Sequence, residues 1–218
     1  MPQIFSPVAD TLARTVLAAA LVLPILFVGL AYALQVSPHV TDENVVVQQP
    51  VPFSHNHHVA GLGLDCRYCH TGVEKSSFAG VPPTETCMTC HSQIWTNATL
   101  LAPVRQSFAN DIPIHWNRVN RLPDYVYFDH SIHVAKGVGC TSCHTDIDKM
   151  PLTWQSAPLT MGWCLECHRD PAKNLRPRKE IFSTDWKPGP DQMTKGHALL
   201  AQYGIKVDHL TDCSVCHR

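Results

Sequence analysis

All ten cysteines of this 218-residue chain fall into five copies of one spacing, Cys-x-x-Cys-His, and none is left over. The copies are Cys66-Arg67-Tyr68-Cys69-His70, Cys87-Met88-Thr89-Cys90-His91, Cys140-Thr141-Ser142-Cys143-His144, Cys164-Leu165-Glu166-Cys167-His168 and Cys213-Ser214-Val215-Cys216-His217. Two thiols at this separation form thioethers to the two vinyl groups of a haem, and the adjacent histidine is then placed beneath the ring as proximal iron ligand. The pattern predicts five covalently attached haems c, with His70, His91, His144, His168 and His217 on the irons. Zinc knuckles do not require a histidine after every second cysteine. With 14 histidines in 218 residues, five such coincidences by chance have a probability on the order of one in a million. A disulfide framework also fails, because a short Cys-x-x-Cys bridge repeated five times would staple nothing distant.

An internal repeat selects further ligands. Phe53-Ser54-His55-Asn56-His57-His58-Val59 and Phe128-Asp129-His130-Ser131-Ile132-His133-Val134 share the frame F-x-H-x-x-H-V, each ahead of a haem motif. The agreement continues past the motif, where Cys69-His70-Thr71-Gly72-Val73-Glu74-Lys75 matches Cys143-His144-Thr145-Asp146-Ile147-Asp148-Lys149, and a second motif follows in each repeat. Histidines at i and i+3 on a helical turn face one side, so each pair can reach two irons, that of its own repeat and a neighbour. His55, His58, His130 and His133 are therefore the expected distal ligands. His57 has Ile132 as its counterpart and reads as a surface residue. The fifth distal ligand is open: Met161, just ahead of Cys164, is a candidate thioether ligand that would raise that haem's potential, or else it packs on a porphyrin face. His115, His197 and His209 are its rivals, while His39 is not singled out.

The elements that must position these residues are few. Thr15 to Gln35 is an uncharged apolar run of about twenty residues, long enough as a helix to span a ~30 Å hydrocarbon core, with Pro24 mid-span and Tyr32 near the outer interface. The run exceeds the 7–15 apolar residues of a signal peptide, so an uncleaved anchor is expected. The organisation read from the sequence is a cytoplasmic N-terminus (1–14), the anchor (15–35), a tether (36–52) and an exported haem domain (53–218). Within the last lie repeat 1 (53–91), an ordered connector (92–127), repeat 2 (128–168) and a Pro-rich arm carrying the fifth site (169–218). A short helix is expected at 193–203. Arg14 and the amino terminus, ahead of the helix, favour N-inside orientation. Arginines of the connector can neutralise haem propionates or simply be solvated.

Composition narrows the function. Only 16 % of the residues are charged and the net charge is −1, so no basic field supports nucleic-acid binding. The residues after the anchor must surround five macrocycles, so the haems themselves must supply most of the core. The expected fold class is a multihaem cytochrome c of short α-helices and long loops with almost no sheet, plus one N-terminal transmembrane helix.

The anchor, the two F-x-H-x-x-H-V elements, Cys66-Arg67-Tyr68-Cys69-His70, Arg121-Leu122-Pro123-Asp124-Tyr125-Val126-Tyr127-Phe128, Leu159-Thr160-Met161-Gly162-Trp163-Cys164 and the terminal Cys-x-x-Cys-His-Arg together resemble the pentahaem cytochrome c component of bacterial alternative complex III. The resemblance covers nearly the whole chain and departs from the pattern at Asn120, where a histidine would be expected. It implies an electron-transfer subunit of a bacterial quinol:electron-acceptor oxidoreductase, without a catalytic residue or quinol site of its own. Its implied partners are an iron–sulfur subunit, integral quinol-binding subunits and a monohaem cytochrome c, besides membrane lipid. The implied location is the bacterial inner membrane, single-pass, with the haem domain periplasmic, the oxidising side on which haem c is attached. Two other functions compete: a stand-alone membrane-anchored quinol dehydrogenase feeding a reductase, and a catalytic multihaem reductase. The stretch from Val36 to Pro52 argues against the first, which needs a quinol pocket close to the anchor. Enough distal candidates to close every iron argue against the second.

Overall fold

The structure is a computed structural model that describes residues 6–217. Residues 1–5 of the expected N-terminal segment and Arg218 of the terminal motif lie outside the described residues. The chain divides into two units, one ending at Asp42 and the other beginning at Glu43.

The first unit is built on one helix, α1 (Pro7–Gln35). Ser6 caps it, its Oγ accepting the Ala9 N–H at 3.3 Å, and Pro7 occupies the first turn, where its missing N–H costs nothing. Asp10 and Arg14 pair at 2.9 Å, one turn apart. The helix thus starts ahead of the apolar run, and its 29 residues correspond to roughly 43 Å at 1.5 Å per residue. It continues through Pro24. Among the described residues it is the one helix long and apolar enough to cross a membrane. A single turn, α2 (Pro38–Thr41), follows and ends at Asp42 in the left-handed region, φ 55°.

The second unit contains short helices and loops. A π-helical turn spans Asn56–Gly61, and then come α3 (Cys66–Cys69), α4 (Thr84–His91), α5 (Ala102–Asn110), α6 (His130–Ala135), α7 (Thr141–His144), α8 (Met161–Arg169), α9 (Gln192–Gln202) and α10 (Cys213–Cys216). Among the described residues there is no strand, only three isolated bridges: Glu43 with Gln155, Val46 with Trp154, and Val138 with Leu175. Helices α3, α4, α7, α8 and α10 lie on the haem motifs themselves. A Cys-x-x-Cys turn must present both thiols to one side, and a helical turn does so. Asp65, Asp129 and Thr160 cap α3, α6 and α8, each accepting backbone N–H groups that the first turn leaves unpaired.

Residues 43–49 are held against repeat 2 and the connector. Asn44 N–H donates to Gln155 O at 2.7 Å and Val47 N–H to Thr153 O at 3.3 Å. The side-chain amide of Gln49 both donates to and accepts from the Asn117 backbone at 2.8 Å.

The buried apolar core of the described residues is small: Val51, Val73, Val104, Met150, Ala157, Ala172, Leu175, Ile181, Leu199 and Tyr203. Half of it belongs to the Pro-rich arm. Leu175, Leu199 and Tyr203 form its cluster, packed against Val138, Leu200 and Ile205. Helix α9 docks on the turn Pro171–Asn174 through Gly196, where a Cβ would lie 2.1 Å from Ala172 O. Gln192 locks the contact, its Nε2 donating to Ala172 O at 2.9 Å and Leu175 O at 2.8 Å. Arg176, 2 % exposed, reaches from the arm to the third motif: Nη2 donates to Thr141 Oγ1 at 2.9 Å and Ser142 Oγ at 3.3 Å, and Nη1 to the Glu180 and Ser183 carbonyls. Gly139 leaves room for the guanidinium, since a Cβ there would sit 2.1 Å from Arg176 Cζ.

Candidate haem sites

We number the motifs as sites 1 to 5 in chain order. The two F-x-H-x-x-H-V elements adopt the same arrangement, although His55 caps the π-helical turn that holds His58, whereas His130 and His133 lie on α6. Phe53 meets His55 edge-on at 5.0 Å and stacks on His58 at 4.5 Å. Phe128 meets His130 edge-on at 4.8 Å and stacks on His133 at 4.5 Å. Each phenyl thus splays two imidazoles in fixed directions.

Each of these imidazoles faces a motif histidine. His55 lies 6.5 Å from His70, His58 6.2 Å from His91, His130 6.4 Å from His144 and His133 6.2 Å from His168, measured between ring centres. A metal–imidazole bond is about 2.0–2.1 Å and a ring nitrogen lies about 1.2 Å from its ring centre, so two imidazoles on opposite sides of one ion stand about 6.4 Å apart. All four separations match. Planes are nearly parallel in the first and third pairs, at 11° and 5°, and crossed at 67° and 37° in the other two.

The tautomer is set as well. Nδ1–H donates to a backbone carbonyl in His58 (Ser54, 2.8 Å), His70 (Gly80, 2.6 Å), His130 (Ser77, 2.8 Å), His133 (Asp129, 2.7 Å), His168 (Leu210, 2.9 Å) and His217 (Tyr125, 3.1 Å), and more distantly in His91 (Ile94, 3.4 Å). His55 Nδ1 is hydrogen-bonded to Thr153 Oγ1 at 3.2 Å. Occupying Nδ1 in this way leaves the Nε2 lone pair as the ligand atom and fixes the ring's direction. Burial, reinforced by neighbouring histidines, holds His55 and His144 down to about 4, and burial also lowers His133. These rings are held neutral, the form that coordinates metal.

Site 5 differs. The ring packed beside His217 is Tyr125, at 5.9 Å. Met161 opens α8 with its side chain 63 % exposed. Cys164, one turn further on, is close enough to Cys216 for its thiol to be raised by that neighbour after burial. Of the rivals, His209 is paired with Asp212 at 3.2 Å and Asp208 at 3.5 Å, while His115 and His197 are exposed. His57 is exposed and edge-on to His58, and His39 is exposed in the first unit.

The donor set fits haem and not a bare ion. Among the described residues no three His, Cys, Asp or Glu side chains gather as a metal cage. A pair of imidazoles completes an ion only where a macrocycle supplies the remaining ligands, and each pair lies beside two free thiols of its motif. The residues that orient the rings had no signature in the sequence: Ser77, Gly80, Leu210 and Tyr125 act through backbone carbonyls, which any residue possesses. Thr153 acts through its side chain, but at a separation of 98 residues from its partner. Connector Arg105 is engaged locally, donating to Ala98 O at 2.9 Å.

Comparison with known proteins agrees with this geometry. The cytochrome c7 and related cytochrome c family matches residues 126–218. The multihaem cytochrome c subunit of menaquinone reductase from Nitratidesulfovibrio vulgaris strain Hildenborough is 33 % identical over 165 residues, covering 65 % of this chain and 79 % of that protein. The chain belongs to the multihaem c-type cytochromes. As such a cytochrome it carries covalently bound haem c and transfers electrons, and its fold is the one the residues led us to expect, short helices and loops around the motifs. The family match spans site 3 to site 5 and takes in the second F-x-H-x-x-H-V element with its pairs to His144 and His168.

Proposed function

We propose that this cytochrome is the pentahaem electron-transfer subunit of a membrane-bound quinol:electron-acceptor oxidoreductase of the alternative complex III type. The observation that carries the reading is the set of four opposed imidazole pairs. Irons with both axial positions filled by protein exchange electrons and do not bind substrate. In this reading the irons would be held by His55 and His70 at site 1, His58 and His91 at site 2, His130 and His144 at site 3, and His133 and His168 at site 4. Met161 serves His217 at site 5. Each pair of cysteines, from Cys66/Cys69 to Cys213/Cys216, holds one haem, five in all. Bound haem supplies one-electron redox chemistry. The chain's own residues set its conditions: carbonyls fix the tautomer of most of these imidazoles, Phe53 and Phe128 set ring direction, and burial keeps His55, His133 and His144 unprotonated.

Helix α1 anchors the chain in a bacterial inner membrane with the haem unit on the periplasmic side, and Pro7 to Arg14 occupy the inner interface. Partners are an iron–sulfur subunit that delivers electrons, integral quinol-binding subunits and a monohaem cytochrome c. Similarity to a menaquinone reductase subunit favours one second reading, in which the same wire runs towards the quinone.

Gentle detergent extraction of native membranes, haem-stained native electrophoresis and mass spectrometry of the stained band test the proposal. A large assembly with an iron–sulfur protein and integral quinol-binding subunits is expected, with five haems in the intact mass of this chain. A small species holding the cytochrome alone or with one reductase overturns it. Quinol-driven reduction of an acceptor, set against acceptor-driven reduction of menaquinone, separates the two directions.

A further inference from the structure

The two repeats are not stacked in chain order; they exchange contacts. The N–H of Ser131, next to His130, donates to Ser76 O at 3.2 Å. The N–H of Asn56, next to His55, donates to Met150 O at 3.0 Å. Ser131 and Asn56 occupy the same place in the repeated frame, and Ser76 and Met150 stand at the same distance past His70 and His144. The contacts to the imidazoles are exchanged too. Ser77, in the loop after His70, orients His130 of repeat 2, while Thr153, in the loop after His144, orients His55 of repeat 1. Such reciprocity is the mark of a two-fold relation, here within one chain. It brings site 1 against site 3, where the side chains of Cys66 and Cys140 are close neighbours.

The remaining sites lie outward from this junction. Site 2 is tied to site 1, through the shared turn of His55 and His58 and through Tyr68 Oη to Thr89 Oγ1 at 2.9 Å. Its helix α4 otherwise packs on α5, where Thr84 and Ser107 are hydrogen-bonded at 2.6 Å. Site 4 is tied to site 3 through the shared turn of His130 and His133 on α6. Site 5 is tied to site 4 on both sides of its imidazole pair. His168 donates to Leu210 O, just ahead of Cys213, and Cys216 O accepts the Tyr127 N–H at 2.8 Å, beside the Phe128 that stacks on His133.

We propose that the five sites are strung in the spatial order 2–1–3–4–5, with a pseudo-two-fold axis between sites 1 and 3, so that sites 2 and 5 are the two ends of the wire. This deepens the function proposed above and rests on its ligand assignments. Sites 2 and 5 are then where electrons enter and leave. Each end carries its own exposed cysteine, Cys90 and Cys213, whereas the other eight are at least partly covered.

The test uses the full-length holoprotein with pairs of opened irons. His55→Gly, His58→Gly, His130→Gly and His133→Gly are combined two at a time across the repeats, fully reduced and exposed to nitric oxide, with the unsubstituted protein as blank. Low-spin ferrous haems are silent, so pulsed EPR reads the distance between the two nitrosyl haems. The His55/His130 pair should give the shortest distance, His58/His133 the longest, and the mixed pairs values between. A shortest distance for His58/His130, as a stack in chain order requires, overturns the order, as does a shortest distance for His58/His133. Failure of single variants to bind nitric oxide would instead count against the ligand assignments, which keeps the two readings apart. A milder variant needs no opened iron: Thr153→Val should shift the low-spin EPR signal that His55→Gly removes. A shift confined to the signal that His130→Gly removes, or no shift, overturns the exchange.

Discussion

His55 and His70 face one another at 6.5 Å with their planes 11° apart, and the hydrogen bonds at their Nδ1 atoms come from outside their own turns. The first takes its orientation from Thr153 and the second from the carbonyl of Gly80. Because the ring directions come from elsewhere in the fold, the gap between them is set by tertiary structure. It is correct for one hexacoordinate iron.

Opening one pair changes spin state at one site. His133→Gly should leave the site 4 iron with His168 alone, giving one stoichiometric high-spin ferric signal in low-temperature EPR and no change in haem content. A variant that remains entirely low-spin would mean that His133 is not a ligand.

In the proposed assignment Met161 sets the potential of site 5. A thioether ligand raises a haem's potential relative to a second imidazole, so Met161→His should lower one midpoint potential of five and leave the others in place. Spectroelectrochemical titration measures it, and an unchanged titration would assign Met161 to packing.

Acid should loosen the wire across a defined window. His55 and His144 are held at about 4, against an ordinary value of 6.5. Since the unfolded chain takes up these protons first, stability rises with pH between about 4 and 6.5 and is lost as pH falls through that range. The proton competes with iron for the same Nε2. Denaturant unfolding midpoints followed from pH 7 downward should fall between about 6.5 and 4, with high-spin conversion in absorbance and EPR appearing only as pH nears 4, and a midpoint flat across that window would contradict it.

Arg176 is the bolt between the arm and site 3. Its Nε has no protein partner, its guanidinium stacks on Trp186 at 4.2 Å, and its four other hydrogen bonds serve acceptors of both segments. Arg176→Met keeps the volume and abandons the acceptors, at a cost of about 2 kcal/mol or more. Denaturant unfolding of the holoprotein should show the loss, whereas Thr141→Val, which removes one acceptor, should cost less.

Gly196→Ala should undock α9. Its Cβ would collide with the Ala172 backbone, which unlike a side-chain tip cannot swing away. Limited proteolysis is expected to cut within 177–191 in the variant well before it cuts the wild type, and equal rates would disprove the clash.

Much of the chemistry was legible along the chain. Cys-x-x-Cys-His carries its purpose locally, because thioether formation and proximal ligation need residues within one turn. The repeat marked His55, His58, His130 and His133, which the structure brings opposite motif histidines, and the near absence of sheet followed from the many haem motifs in so short a chain. The helix at 193–203 was anticipated within a residue at each end, whereas α1 begins at Pro7 and not at Thr15, since its first turns are polar and capped instead of apolar. The long-range relations were not legible. Ser77 and Met150 contribute carbonyls without a residue-type signature, Arg176 looked like one more basic residue in a Pro-rich arm, and residues 43–49 read as a tether although their N–H groups and amides find partners at 117 and 153–155. What the sequence by itself determined was the haem-attachment motifs and the histidine pairs of the repeat, which depend on spacings of three or four residues. Only the tertiary structure decided which imidazole faces which and how the two repeats meet, because those relations depend on directional hydrogen bonds between segments far apart in the chain.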